Sequence, residues 1–267
     1  MDLELIGKRA LVTGGSRGIG KAIARALALE GVDVALLARQ APALQAAAAE
    51  IAAQSGRRVI GVVGDTTDDD EVKAAVAQAV RELGGSIDIL VNAAAEPGGF
   101  GGPPALARIC ADLFHAELDT KVMGYIRVSR EVVGGMQAQR WGRIVHISGL
   151  AARQTGNTLG SIRNVAVAAL AKNMADEFGP NGINVTVVHP GLTRTERTAL
   201  LVTTRAAAQG VSEQAIEAQM AARNSIHHLV DASEVAHVVA FLCSPKSRAI
   251  NGDVIAAGGG MSGTIHY

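Results

Sequence analysis

Apolar positions along this chain follow two alternating patterns. Short continuous apolar runs are followed by longer stretches in which apolar residues recur at helical spacing. "RALVTGG" at 9–15 predicts a strand, and "IGKAIARALALEG" a helix closed by Gly31. "DVALLAR" at 33–39 is a second strand, "APALQAAAAEIAAQSG" a helix, and "RVIGVVGD" at 58–65 a third strand. "DDDEVKAAVAQAVRELGG" carries acids in its first turn, where the positive end of a helix dipole favours them. "IDILVNAAA" at 87–95 is a fourth strand, and a glycine/proline loop, "EPGGFGGPP", leads to a long helix from about Cys110 to Gln139. "GRIVHIS" at 142–148 is a fifth strand, Asn164 to Phe178 a helix, and "INVTVVHPG" at 183–191 a sixth strand. Past an irregular segment from Glu196 to Leu229, "ASEVAHVVAFLCS" is a helix and "DVIAAGGG" at 253–260 a seventh strand.

Strands alternating with helices predict an α/β fold, a Rossmann-type doubly wound parallel sheet of about seven strands with helices on both faces. The strands are continuously apolar rather than alternating, which fits burial on both sides. No repeat or linker divides the chain, so residues 1–267 are expected to form a single domain. Hydrophobic residues make up 48% of it but aromatics only 3%, so Ala, Val, Ile and Leu must build the core. The 25 basic and 25 acidic residues cancel, which gives no reason to expect a nucleic acid or an anionic membrane as partner. No apolar run reaches the roughly 18 residues of a spanning helix. The acidic start "MDLELIGKRA" lacks a secretory signal pattern, and a cytoplasmic location is expected. Cys110 and Cys243 form neither a disulfide framework nor a metal site and are expected to be reduced, largely buried thiols.

The most informative turn is "TGGSRGIG" at 13–20, between the first strand and the first helix. There Gly14 permits the turn, Gly18 lets backbone approach a pyrophosphate, and Gly20 lets helix pack on strand. The free N–H groups and positive dipole of the helix N-terminus complete a phosphate cradle. Ser16, Arg17 and Ile19 belong to the same turn.

The form Thr-Gly-x-x-x-Gly-x-Gly resembles the short-chain dehydrogenase/reductase family, and the resemblance runs over nearly the whole chain. "GDTTD", with Asp65 and Thr66, is similar to the family's adenine contact. "VNAAA", with Asn92, is similar to its Asn-Ala-Gly segment, with Ala95 where glycine is usual. "HPGLTRT", with Pro190, Gly191, Thr193 and Thr195, resembles the loop at the nicotinamide end, and "NGDVIAAGGG" the C-terminal strand. The family resemblance implies nucleotide binding, hydride chemistry on a small molecule and a homodimer or homotetramer.

The end of the second strand reads "LLARQ", without the acid that binds the ribose 2′-hydroxyl of NAD. Arg39 stands there, and Arg17 lies in the glycine turn; a 2′-phosphate suits such an arginine pair. NADP(H) is therefore the expected cofactor.

Family members work with a tyrosine that exchanges the substrate proton, a lysine four residues on, a serine on the substrate oxygen and an asparagine on the long helix. Aligned backward from "FGP", the tyrosine place is Gly160 and the lysine place Asn164. The asparagine place is Lys121; of the two serine places on the fifth strand, Ser148 holds the first and Gly149 the second. Lysine and asparagine are thus exchanged between two facing places. Lys121 is either a solvated helix lysine or a pocket residue that holds ribose and donates a proton. Asn164 is either a helix cap or part of the same site. Ser148 is expected to polarise a carbonyl, and Arg163, three residues past the tyrosine place, is the alternative, fixing an anionic group instead. His146 is expected on the same sheet face as Ser148 but deeper, His189 at a strand end, and His227 and His228 in the segment 196–229, which covers the substrate as a lid. The best-supported activity is NADP(H)-dependent hydride transfer on a small carbonyl or alcohol by an atypical proton path, without a metal. Two rivals stand beside it: a catalytically silent nucleotide-binding protein and a non-redox lyase or isomerase.

Overall fold

The chain was analysed as a computed structural model that describes residues 1–95 and 102–262, so most of the glycine/proline loop from Glu96 lies outside the described residues, as does Tyr267. Its first half runs β1 (Arg9–Thr13), α1 (Gly18–Leu29), β2 (Asp33–Ala38), α2 (Ala41–Ser55), β3 (Val59–Val63), α3 (Asp69–Leu83) and β4 (Ile89–Asn92). Next come α4 (Ala111–Leu118), a π-helical turn at Asp119–Met123, α5 (Gly124–Ala138), β5 (Gly142–Ile147), α6 (Thr158–Phe178) and β6 (Ile183–Pro190). The chain continues with β7 (Thr193–Arg194), α7 (Glu196–Gln209), α8 (Glu213–Ala221), β8 (Val230–Asp231), α9 (Ala232–Cys243) and β9 (Val254–Ala257).

Seven strands pair in the order β3-β2-β1-β4-β5-β6-β9, and every pairing is parallel. Every residue of β5 and β6 is buried, the polar Arg143, His146, Asn184, Thr186 and His189 among them, so both faces of these central strands are covered. One face packs α1, α2 and α9 through residues such as Ile23, Leu27, Ile51, Val235 and Val239. The other packs α3, α5 and α6 through Val76, Val128, Val167 and the one large aromatic buried there, Tyr125. The direction of winding reverses between β1 and β4, and in such sheets the crevice beyond the strand ends at that point is the ligand site.

Local chemistry sets the ends of α3: the Asp68 side chain accepts from Glu71 N–H, Asp69, Asp70 and Glu71 fill the first turn, and Gly84 closes it at φ 75°.

The structure departs from the sequence expectations in four places. The helix expected from Asn164 begins six residues earlier, because Asn157 caps it by accepting from Gly160 N–H; Asn164 is therefore inside the helix and is not its cap. The long helix is interrupted by the π turn. The segment 196–229 is largely helical, with α7 and α8 closing on their own small core of Val202, Ala206, Ile216, Met220 and Leu229. Cys243 is buried as expected, but Cys110 is exposed, since it precedes α4 rather than facing the sheet. No helix among the described residues is long and apolar enough to cross a membrane.

Candidate active site

The strand ends of β1 and β4 are joined through Thr13, whose Oγ1 accepts from the N–H groups of Ala93 and Ala94 at 3.0 and 3.1 Å. That tie holds Ala93 against the glycine turn, which leaves no room for side chains. Gly14 sits at φ 67°, and a Cβ there would come within 2.9 Å of Ala93 O; one on Gly20 would lie 2.3 Å from Gly14 O. Both glycines are thus required by close approach. At Gly18 the backbone N–H points to an anion: it donates to Glu196 Oε2 at 3.1 Å, the first residue of α7. A carboxylate here stands in for a phosphate oxygen.

A cleft of about 810 Å³ opens from this turn and is bordered by Gly14, Ser16, Arg17, Ile19 and Gly20. Arg39, Asp65 and Thr66 border the same end. Arg39 Nη1 lies 3.7 Å from Asp65 Oδ2. Burial pushes the Asp65 carboxyl up, but hydrogen bonds from Thr67 and the Arg39 charge bring it below its ordinary value overall. Pro190, Gly191 and Thr195 border the cleft further on.

Two expected cofactor residues are elsewhere. Asn92 is fully buried and turned inward, its Nδ2 3.3 Å from Ser129 Oγ and 3.1 Å from His146 Nδ1. Its asparagine chemistry serves the β4–α5–β5 packing. Thr193 is also buried, with its hydroxyl donating to Gly191 O at 3.1 Å, so it shapes the loop from beneath.

At the far end, β5, α6 and the π turn converge. Such a turn widens the helix locally and is frequent at functional sites. Lys121 projects from it, only 5% exposed, and its Nζ donates to Ser148 O at 3.0 Å. Ser148 Oγ donates to Asn164 O at 3.1 Å, and Asn164 Nδ2 to Gly149 O at 3.4 Å. Asn164 Oδ1 is buried without a partner, an acceptor left for a ligand hydroxyl. All three side chains border the cleft. Burial, reinforced by the Arg163 charge and partly offset by Glu117, lowers the Lys121 ammonium to a pKa of about 7. Arg163 borders the cleft and pairs through Nη1 with Glu117 of α4.

Gly160 has its own steric logic: a Cβ there would meet the capping Asn157 side chain at 2.5 Å. Asn157, Gln154, Arg223 and Asn224 also border the cleft. None of these four was expected from sequence, because their pattern carries no motif and the chain fold alone assembles them. His146 lies beneath Ser148, stacked on Tyr125 at 5.3 Å, and burial drops its imidazole to about 3. His189 Nδ1 accepts from Gly149 N–H at 3.2 Å. His228, Asp231 and Glu234 cluster within 4.8 Å, but Asp231 is held by Arg194, and Glu234 caps α9 while touching His228. Their oxygens are committed to the protein, and no metal site is read there.

The fit of a dinucleotide rests on the two crowded glycines, the Gly18 N–H already holding a carboxylate, and the absence of an acid after β2. The 3-oxoacyl-[acyl-carrier-protein] reductase of Aquifex aeolicus is 32% identical over 98% of this chain and 100% of its own length. The structure of L-sorbose reductase from Gluconobacter frateurii, complexed with NADPH and L-sorbose, superposes with a TM-score of 0.91 at 29% identity over 99% of this chain and 100% of that one. Actinorhodin polyketide ketoreductase with NADPH gives 0.86 at 31% identity, covering 96% and 98% of the two chains. The family profile described as short chain dehydrogenase matches residues 8–206, and the chain belongs to that family.

Proposed function

We propose that this protein is a cytoplasmic NADP(H)-dependent oxidoreductase acting on a small carbonyl or alcohol, with Lys121 as its proton-exchanging group. The observation that carries this is the buried Lys121 amine on the cleft wall, bonded to the strand that bears Ser148 and close to neutral in its titration. The cofactor, when bound, supplies the hydride. The glycine turn and α1 would hold its pyrophosphate, Arg17 and Arg39 its 2′-phosphate, and Asn164 Oδ1 would accept from a ribose hydroxyl. A protonated Lys121 has three N–H groups; Ser148 O takes one, leaving donors for a substrate oxygen. The Ser148 hydroxyl, now donating to Asn164 O, rotates to bond the same oxygen. In reduction Lys121 gives up a proton to that oxygen; in oxidation the neutral amine takes it back. On the backward alignment Gly160 supplies no hydroxyl, so the enzyme is expected to be slow. A positioned acid or base is typically worth 10²–10⁴-fold.

A carbonyl panel with NADPH on the parent, Lys121→Ala and Ser148→Ala tests this. Turnover that falls at least about 100-fold in both variants, with nucleotide affinity held, supports it. Firm NADPH binding without turnover on any substrate favours the silent nucleotide-binding reading, and non-redox conversion the lyase or isomerase one. Undiminished turnover in both variants overturns the assignment.

A further inference from the structure

We infer that the substrate of this cleft carries a carboxylate, held between Arg163 of α6 and Arg223 at the end of α8. This rests on the dinucleotide reading of the cleft.

The cleft wall is unbalanced in charge. Among the described residues it bears Arg17, Arg39, Lys121, Arg163 and Arg223, against a single acid, Asp65, which sits at the glycine-turn end beside Arg39. Arg17 and Arg39 would face the phosphates of a bound dinucleotide. The other three cations belong to the opposite end. Glu117 neutralises part of Arg163 from behind and does not itself border the cleft. A cavity of one sign with low-dielectric walls concentrates ligands of the other sign.

The two arginines are not equivalent, and together they frame the space. Arg163 lies one residue before Asn164 and uses Nη1 on Glu117, so four of its five N–H groups remain. Its Nε is buried with no acceptor at all. Glu117 therefore fixes the guanidinium without saturating it. Arg223 is exposed, and its side chain has no hydrogen bond or ion pair among the described residues. Its position is nonetheless defined: the neighbouring Asn224 donates to His228 O at 2.7 Å and bridges to Met261, which touches Gln154 in the loop before α6. Arg223 is thus carried on a segment braced against the loop before α6, and it borders the same cleft as Lys121, Ser148 and Asn164. A planar carboxylate matches the fork of a guanidinium, and a carbonyl elsewhere on the same molecule reaches Lys121.

The test first measures NADPH binding by fluorescence titration, which checks the dinucleotide reading by itself. The protein loaded with NADP+, which cannot reduce a ketone, is then titrated by calorimetry with acetoacetate, levulinate and 2-oxobutanoate and with their methyl esters. The acids are expected to bind at least tenfold more tightly than the esters, with the difference shrinking as salt rises. Arg223→Gln, an exposed change that leaves the fold intact, should erase most of the preference, and Arg163→Met should do the same. Equal binding of acids and esters, no binding of any acid to NADP+-loaded protein, or an undiminished preference in Arg223→Gln would each overturn the inference. Failure of NADPH to bind would instead remove the reading beneath it.

Discussion

A lysine whose amine is buried loses the hydration that keeps it charged, and the chain must absorb that cost on folding. In Lys121 the loss is set by burial in the cleft wall, reinforced by Arg163 and eased by Glu117. The sign of the consequence is fixed. The folded-state pKa of about 7 lies below the unfolded value of 10.5, so between them the unfolded chain binds the extra proton. The Lys121 contribution to stability should therefore climb as pH rises from about 7 towards 10.5, by up to about 1.4 kcal/mol per unit, while above pH 9 the buried Cys243 thiol, pushed up to about 12, works against it. His146, lowered from 6.5 to about 3, acts only below that window, where falling pH costs stability. Urea unfolding of the parent and Lys121→Met at pH 7 and 9.5 reads this directly. The parent should gain a few kcal/mol more than the variant between the two pH values, and equal gains would show that the amine keeps its ordinary titration. The type of residue at 121 was legible from sequence; its burial was not, because it depends on a π turn that no local pattern announces.

At the level of elements, the βα units were readable because each strand is buried on both faces and each helix has one buried side. The glycine turn could be placed because it joins two such elements. Where α6 begins could not be read from Asn164, since Asn157 is an equally good cap and comes first. The helices α7 and α8 were illegible for another reason: their apolar residues pack mainly on each other, and Ala, Gln and Thr between them give a weak pattern. The ends of α1 and β2 also bear on nucleotide choice. Arg17 precedes α1 and Arg39 follows β2, and no acid directly follows β2 in the sequence to bind a ribose diol; the acid beside Arg39 in space is Asp65, which comes from beyond β3. Each charge-assisted bond to a 2′-phosphate is worth about 1.5–3 kcal/mol, so NADPH should bind at least tenfold more tightly than NADH. Fluorescence titration at low salt should show that ratio and a smaller one at high salt; equal affinities would refute it.

For the whole molecule, the outer side of α6 carries Ile162 and Val165, 41% and 51% exposed, with Ala169 in line with them. Such a stripe, flanked by small residues, suits helix pairing between copies. We expect a homodimer or homotetramer at micromolar concentration in light scattering, and a shift to monomer in Val165→Asp; a monomeric parent would exclude it. The contact between Gly18 and Glu196 has a wider consequence. It joins residues 178 positions apart and puts a carboxylate on the amide that a pyrophosphate needs. The start of α7 thus bears a tethered competitor, present at the phosphate cradle at an effective concentration set by the fold rather than by the solution. Any dinucleotide must displace it, so its apparent affinity is reduced by the fraction of molecules in which the cradle is already vacated. Glu196→Gln weakens the tether's hold on the amide and removes its repulsion of the incoming phosphates. Calorimetric titration with NADPH should then show several-fold tighter binding; an unchanged or weaker affinity would mean that the carboxylate helps to build the cradle and does not compete for it.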